Sequence, residues 1–420
     1  MNLVEVILWD KLVGVLFWDN SNRITSFEFS KDFIRENLEV SPIVNPLSGR
    51  IIKASKGINK SLNFDTNKGL PLFISDSLPD KFGTDLFAKY LEKEGRIFND
   101  LSPLEKLSYI GNRGMGALEF RPNKSNNSKK GELDLKRLND LSQSLIKNEP
   151  VANLGDMTNL FHVGTSPGGA QPKVLINIDK ESGDIFRGDN FPNNNQDSWI
   201  LKFNKDIGLD SDSERGKIEY VYYLIAKKCG INIMESKLLE IENEQFFMTK
   251  RFDRVNGEKL HTQTLNAFAG MNFMLPNTYS YEQVFTVLNK INLDYPSKEQ
   301  IYRTLVFNVI GRNVDDHTKN FGFNMNKNGE WQLSPTYDLT FTYNNNYNRE
   351  IPHFLSVNGK NEKHTKEDLI KIGKDYSIKK PIKIIDEIID SFSLWDNLAE
   401  ENKISKKTKA FIQSKLLLKL

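Results

Sequence analysis

A chain of 420 residues exceeds what one hydrophobic core ordinarily serves, about 100–200 residues per domain, so more than one domain is expected. Its 57 Lys and Arg against 55 Asp and Glu leave no global charge to drive it onto nucleic acid or acidic lipid. The single cysteine, Cys229, excludes a disulfide framework and any zinc site built on several thiolates, and a reducing, cytoplasmic setting is expected.

The N-terminal MNLVEVILWDKLVGV has no basic stretch ahead of its short apolar run, and nowhere do about 18 apolar residues follow one another, so neither export signal nor membrane span is expected. β-branched and aromatic runs between polar turns predict strands over Val4–Trp9, Leu12–Trp18 and Ile24–Phe29. In SDSLPDKFGTDLFAKYLEKEG, Asp80 is a candidate N-cap for a packing helix whose apolar face carries Phe82, Leu86 and Tyr90. Pro103 begins a further short helix, GNRGMGALEFRP leads into a strand, and the polar NKSNNSKKGE at 123–132 marks a linker or exposed loop.

FHVGTSPGGAQPKVLINID reads as a Gly-rich turn between two strand-like runs. Gly164, Gly168 and Gly169 would let backbone N–H groups approach phosphate, a bare hairpin turn being the alternative; no Gly-Lys-Ser/Thr follows, so this is not a Walker loop. SWILKFNK is a strand with Ile200, Lys202 and Asn204 on one face and Leu201 and Phe203 on the other. Lys202 is then either a phosphate ligand or an edge-strand lysine facing water. Glu219 opens a helix marked by Val221, Leu224, Ile225 and Cys229 and ended by Gly230. It either pairs with Lys202 or lies exposed at the positive end of the helix dipole. SKLLEIEN and QFFMTKRFDRV read as strands. After about residue 260 the pattern turns helical, in YEQVFTVLNKI, KEQIYRTLVFNVIG, KEDLIKIGKD and KIIDEIIDSFSLWDNL. The basic, amphipathic KKTKAFIQSKLLLKL would suit acidic lipid but reads better as a closing helix of the core.

Everything converges on Gly311–Leu339, where Asp315 is followed at +5 by Asn320 and, eighteen residues later, by Asp338. Kinase-type phosphoryl transfer uses this order: one carboxylate accepts a hydroxyl proton, and an amide oxygen and a second carboxylate hold Mg²⁺. Asp, Asn and Gly also gather in ordinary turns, which is the competing reading of this stretch alone. A metal-dependent phosphohydrolase on Asp316-His317 is a distant alternative. Of His162, His261, His317, His353 and His364, none but His317 sits in a convincing ligand pair, and such sites need several imidazoles.

Gly-rich turn, strand lysine, helix glutamate, hinge, then Asp-x₄-Asn and Asp is the order of parts in a protein kinase. Over nearly the whole chain, SDSLPD, GNRGMGALEF, GTSPGGAQPK, the LKF strand, RFDR, NVDDHTKNF and SPTYDLT resemble the HipA-type serine/threonine kinases of bacterial toxin–antitoxin pairs. The resemblance implies an α+β, two-lobed kinase-like fold: a β-rich N-terminal subdomain (1–122), an ATP-binding N-lobe (133–255) and an all-helical C-terminal lobe (256–420). It implies Asp315 as catalytic base and Asn320 and Asp338 as Mg²⁺ ligands. Lys202 would touch the ATP phosphates under a loop of Gly168, Gly169, Ala170, Gln171 and Lys173, and Glu219 is a candidate partner for Lys202. The backbone around Lys250–Phe252 would hold adenine, while His317, Lys319 and Tyr337 would contact nucleotide. Lys250 stands where an acidic residue often precedes Arg-Phe-Asp, a departure from the family pattern. Ser166, beside Thr165, matches the autophosphorylated serine of the loop. The implied cofactors are ATP and Mg²⁺. The implied partners are a protein substrate, with aminoacyl-tRNA synthetases among the family's targets, and a HipB-like helix-turn-helix antitoxin through which operator DNA is reached. A non-catalytic kinase-like scaffold in a repressor complex is the alternative, against which the presence of Asp315, Asn320 and Asp338 counts.

Overall fold

The strands expected near the N-terminus form Leu3–Leu8, Lys11–Asp19 and Ile24–Phe29, because alternate residues such as Val4, Val6 and Leu8 are buried while their neighbours reach the other face. The computed structural model describes residues 1–48, 50–53, 64–124, 133–147, 149, 154–165, 168–204, 213–342 and 351–420. Ser166 and nearly all of the expected 123–132 linker lie outside them. The architecture is mixed α+β. The chain divides into two units: Met1–Ser213 with Leu239–Gln263 and Asn324–Glu330, and Glu214–Leu238 with Thr264–Phe323 and Trp331–Leu420. Among the described residues no helix is long and apolar enough to cross a membrane.

In the first unit, Ile51–Lys53, Ile24–Phe29, Lys11–Asp19, Leu3–Leu8 and Leu118–Arg121 lie side by side in that order, with antiparallel pairing throughout. A second sheet runs Ile185–Arg187, Lys173–Asp179, Gln196–Lys202, Glu244–Lys250, with Ser236–Ile241 outermost, the strand within which the chain passes from one unit to the other. Its core face carries Val174, Ile176, Trp199, Leu201, Phe203, Phe246 and Met248. Phe82 and Leu86 pack against these, as do Met157, Leu160 and Val163. Those last three residues correct the sequence reading of FHVG as a strand. Leu154–Gly164 is a helix, and Met157, Leu160 and Phe161 already show the i, i+3, i+4 spacing that places one face on the core. Gly164 ends it where an added Cβ would meet Leu86 at 3.0 Å and the Lys173 carbonyl at 3.3 Å, so it serves close helix-to-sheet packing.

The second unit is dominated by helices at Arg215–Lys228, Tyr281–Lys290, Tyr295–Gly311, Lys366–Asp375, Pro381–Phe392, Trp395–Glu401 and Lys406–Gln413. At its centre the Tyr222 ring meets Phe307, Phe392 and Trp395 edge-on at 5.9, 5.5 and 5.8 Å, contacts of about 0.5–1.5 kcal/mol each beyond area burial. The last helix closes this core as expected. The Glu214 carboxylate accepts from the Ser405 N–H (2.5 Å) and from the hydroxyls of Ser405 (3.1 Å) and Thr408 (2.6 Å).

Two expectations change here. The unit is not all-helical: Trp331–Leu333 is a strand, and beyond it Ile233 bridges Thr336 in parallel. The extended approach to Asp338 needs partners for its backbone groups, and finds them when Ser334 N–H donates to Gly322 O (2.9 Å) and Thr336 N–H to Asn232 O (2.8 Å). Nor does Glu219 open its helix. The helix begins at Arg215, because Ile218 carries the apolar stripe back one turn, and Glu219 is buried inside it, which removes the exposed, dipole-facing reading.

Candidate active site

The first unit brings the Gly-rich segment against two lysines. Lys202 ends a strand with neighbours on both sides and is buried, which excludes an edge-strand lysine facing water. Lys173 pairs directly opposite it on the adjacent strand and is also buried. Like charges facing each other across strands are unfavourable without compensating partners. The Lys173 ammonium donates to Gly168 O at 2.5 Å, and Gln171 Nε2 donates to Phe203 O at 2.9 Å. Gly169 has φ +98°, a conformation that favours glycine. Its N–H donates to Asp80 Oδ2 at 2.9 Å, and Ala170 is exposed beside it. Thr165 is fully buried and its hydroxyl donates back to the Phe161 carbonyl.

The hinge segment is held by charge. Lys250 Nζ donates to Asp197 Oδ2 at 2.7 Å, so the lysine that replaces an acidic residue is engaged by the neighbouring strand. Phe252 is half-buried. Around it, the fully buried Asp253 accepts from Arg251 Nε and Nη2 (both 2.8 Å), Arg254 Nη1 (2.9 Å) and Gly116 N–H (2.7 Å). Burial alone would raise the Asp253 pKa, but the two guanidinium groups more than offset it and hold the carboxyl well below the usual range. Arg254 also reaches the carbonyls of Gly114 and Gly116 (3.2 and 3.0 Å). GNRGMG and RFDR, 137 residues apart at the Gly116–Asp253 bond, therefore form one structure.

In the second unit the helix Tyr295–Gly311 ends on Arg312 at φ +56°. A Cβ at Gly311 would meet Phe392 at 2.3 Å, and Gly311 O accepts from the Tyr222 hydroxyl at 2.5 Å. The chain leaves this fixed point into the Asp315 loop. Thr342 Oγ1 accepts the N–H groups of Val314 (2.7 Å) and Asp315 (3.1 Å), while Asn313 Nδ2 donates to Asn308 Oδ1 (3.0 Å) and reaches Asp338 O (3.5 Å). The Asp315 side chain keeps solvent access, yet its pKa is raised, first by desolvation from the surrounding protein and further by Asp338 and Asp316, against an opposing influence of His317. Asn320 Nδ2 donates to Asp315 O at 2.8 Å, which engages the amide through its nitrogen. Asp338 takes φ +60°, a left-handed conformation that Asp tolerates better than most residues. Tyr337 gives its hydroxyl to Lys319 O (2.7 Å) and braces the loop, and the Lys319 ammonium lies 4.3 Å from the centre of the Phe273 ring. His317 Nδ1 is buried and has no hydrogen-bond partner among the described residues.

Asp316, next to the candidate base, has a structural set of partners. Buried, it accepts from the Tyr281 hydroxyl (2.8 Å), the His353 ring (3.1 Å) and the N–H groups of Phe354 (2.8 Å) and Leu355 (3.4 Å). Its acceptor positions are used, and among the described residues no group of three or more His, Cys, Asp or Glu is placed to hold a metal. Asp316 instead anchors the residue before which Asp315 stands. The sequence reading missed this role, along with those of Tyr281, His353, Thr342 and Asp80.

The HipA-like C-terminal domain family matches residues 165–395 and the HipA N-terminal domain family matches residues 4–121. The chain belongs to the HipA family of serine/threonine kinases, the kinase toxins of toxin–antitoxin systems. The serine/threonine-protein kinase toxin HipA of Shewanella oneidensis is 22% identical over 365 residues, covering 80% of this chain and 74% of that one. A solved Shewanella oneidensis MR-1 HipA, in complex with HipB and its operator DNA, superposes with a TM-score of 0.69 at 17% identity, covering 98% of this chain and 94% of that one.

Proposed function

We propose that this chain is an ATP-dependent protein serine/threonine kinase that acts as a toxin, with Asp315 as the base that accepts the substrate hydroxyl proton. The observation that carries the reading is the Asp315 loop: a solvent-reachable carboxylate of raised pKa on a backbone fixed by Thr342, Asn313 and Asn320. Asn320, through its amide oxygen, and Asp338 are assigned to Mg²⁺, whose hard charge favours oxygen ligands and, when bound, neutralises phosphate charge. The donor set fits, because an amide oxygen and a carboxylate are the kind of oxygen donors that Mg²⁺ takes beside substrate phosphates. Lys202, Lys173 and the Gly168–Lys173 segment are assigned to the ATP phosphates, with Glu219 orienting Lys202. The Lys250–Phe252 backbone is assigned to adenine, and His317, Lys319 and Tyr337 to the nucleotide, Tyr337 by way of its bond to Lys319. Ser166 is assigned as the autophosphorylation site. The buried, internally bonded Thr165 hydroxyl supports Ser166 over Thr165. The two-lobed division, the synthetase target, and the HipB-like antitoxin that carries operator contacts are proposed by family.

Asp338→Asn is expected to weaken Mg·ATP binding as well as rate, since an anionic metal ligand is lost. Nucleotide titration at several Mg²⁺ concentrations checks this, and wild-type affinity and metal dependence would make Asp338 structural. Expression without a partner is expected to arrest growth, with Lys202→Ala and Asp315→Ala each relieving the arrest. Arrest that persists in both variants at equal protein level would overturn the kinase-toxin reading.

A further inference from the structure

In SDSLPDKFGTDLFAKYLEKEG the sequence predicts a packing helix capped by Asp80, yet the residues that open this helix grip the Gly-rich segment. Asp80 stands at the N-cap of Lys81–Lys93 but makes no side-chain capping bond to that helix. Its Oδ2 instead accepts the Gly169 N–H at 2.9 Å. In return Gly169 O accepts the N–H of Phe82 at 3.3 Å, one of the donors that a helix start leaves without an intrahelical partner. A single residue of the loop, Gly169, is thus bound through both of its backbone polar groups by one turn of helix. The fit is close: a Cβ at Gly168 would meet Asp80 Oδ2 at 2.8 Å, and one at Gly83 would meet the Thr165 carbonyl at 2.5 Å.

The other end of the segment is held from the same part of the chain. Arg113, buried, donates from Nη1 to the carbonyls of His162 (2.8 Å) and Phe161 (3.4 Å), in the last turn of Leu154–Gly164. Its guanidinium lies 5.0 Å from the Phe161 ring centre. Helix-end carbonyls lack intrahelical donors and favour a cation, so Arg113 fixes the end of that helix, on which Thr165 follows.

The geometry points to Asp80 as a positioning residue that clamps the Gly-rich loop through the Gly169 backbone, with Arg113 fixing the end of the helix that precedes the loop. Residues of the HipA N-terminal domain thereby hold the Gly168–Gly169 part of the loop. This rests on reading that loop as the cover of the ATP phosphates, and its functional consequence is on nucleotide affinity and not on the chemical step. The carboxylate acts as a hydrogen-bond acceptor and not as a competitor of phosphate, so a neutral acceptor of the same shape should serve.

Hydrogen exchange and nucleotide titration on full-length Asp80→Ala, Asp80→Asn and Gly83→Ala test this. In Asp80→Ala the amides around Gly169 should exchange at least about tenfold faster, the loss of one charge-assisted hydrogen bond. Exchange within the helix at 84–93 should stay at the wild-type rate. The dissociation constant for Mg·ATP should rise by about tenfold, while turnover at saturating ATP stays within about threefold of wild type. Asp80→Asn, whose amide oxygen can still accept, should stay near wild type in both readouts, and Gly83→Ala, which pushes on Thr165, should behave like Asp80→Ala. Unchanged exchange at Gly169 in Asp80→Ala, or tighter ATP binding by Asp80→Asn than by wild type, would overturn the clamp. Exchange reports on the loop directly, so if wild-type protein bound no ATP the nucleotide reading would fall while exchange still decided the clamp.

Discussion

Replacing Asp315 by Asn is expected to lower phosphoryl transfer by about 10²–10⁴-fold, the range a positioned general base contributes, and to leave Mg·ATP affinity within about threefold of wild type. The substitution keeps the side-chain shape. The backbone contacts that fix the loop, Asp315 N–H to Thr342 and Asp315 O from Asn320, do not involve the carboxylate. Only proton acceptance is removed. The pH profile carries the same signature. A base works deprotonated, and desolvation raises the Asp315 pKa, so the acid limb of the rate should begin at higher pH than an ordinary aspartate would set. That limb should be absent from the residual activity of Asp315→Asn. Wild-type turnover in the variant would remove Asp315 from the chemistry.

The largest effect on stability is expected from Asp253→Ala. The wild-type carboxylate takes four hydrogen bonds, three of them from the Arg251 and Arg254 guanidinium groups. Its removal leaves two buried cations without their shared anion. Breaking a buried ion pair by deleting one partner costs about 3–5 kcal/mol, a large share of the roughly 5–15 kcal/mol that holds a typical domain. Desolvation already pulls the Arg254 pKa down to about 10, which shows how little water reaches the cluster. Since the folded Asp253 pKa lies below the unfolded one, its contribution is fully present above the ordinary carboxylate range. It is lost as pH falls from there through the depressed folded value. Chemical denaturation of the first unit's transition measures the difference, and a loss below about 1 kcal/mol would show that Arg251 and Arg254 find other partners.

Both predictions depend on contacts of very different legibility. Strand alternation in Leu3–Leu8 and Ile24–Phe29, the helical spacing of Ile301, Leu305 and Val309, and the Asp315, Asn320, Asp338 spacing are local patterns, readable because side-chain period and loop spacing are set by the backbone itself. The helix at Leu154–Gly164 is masked in the sequence because its glycine and the β-branched Val163 resemble a strand running into a turn, although Met157, Leu160 and Phe161 keep helical spacing. The start of the Glu219 helix was misplaced because the polar residues ahead of Ile218 hide one turn of the stripe. The strand Trp331–Leu333 was missed because three residues are too few to show a period. What no local pattern could supply are the bonds between residues distant in the chain: Asp80 to Gly169, Asp253 to Gly116, and Asp316 to Tyr281 and His353. An aspartate at an N-cap position and one that reaches past its helix look alike in sequence, since the choice depends on which donor the tertiary fold brings closer.

The central claim, transfer of the ATP γ-phosphate by the Asp315 loop, is tested most directly by mass spectrometry of the purified protein after incubation with Mg·ATP, wild type beside Asp315→Asn. The expected result is a phosphate gained by the wild type on the peptide that contains Ser166 and none gained by the variant at equal nucleotide occupancy. Equal phosphate on both proteins, or none on the wild type together with no transfer to any added protein substrate, would contradict it.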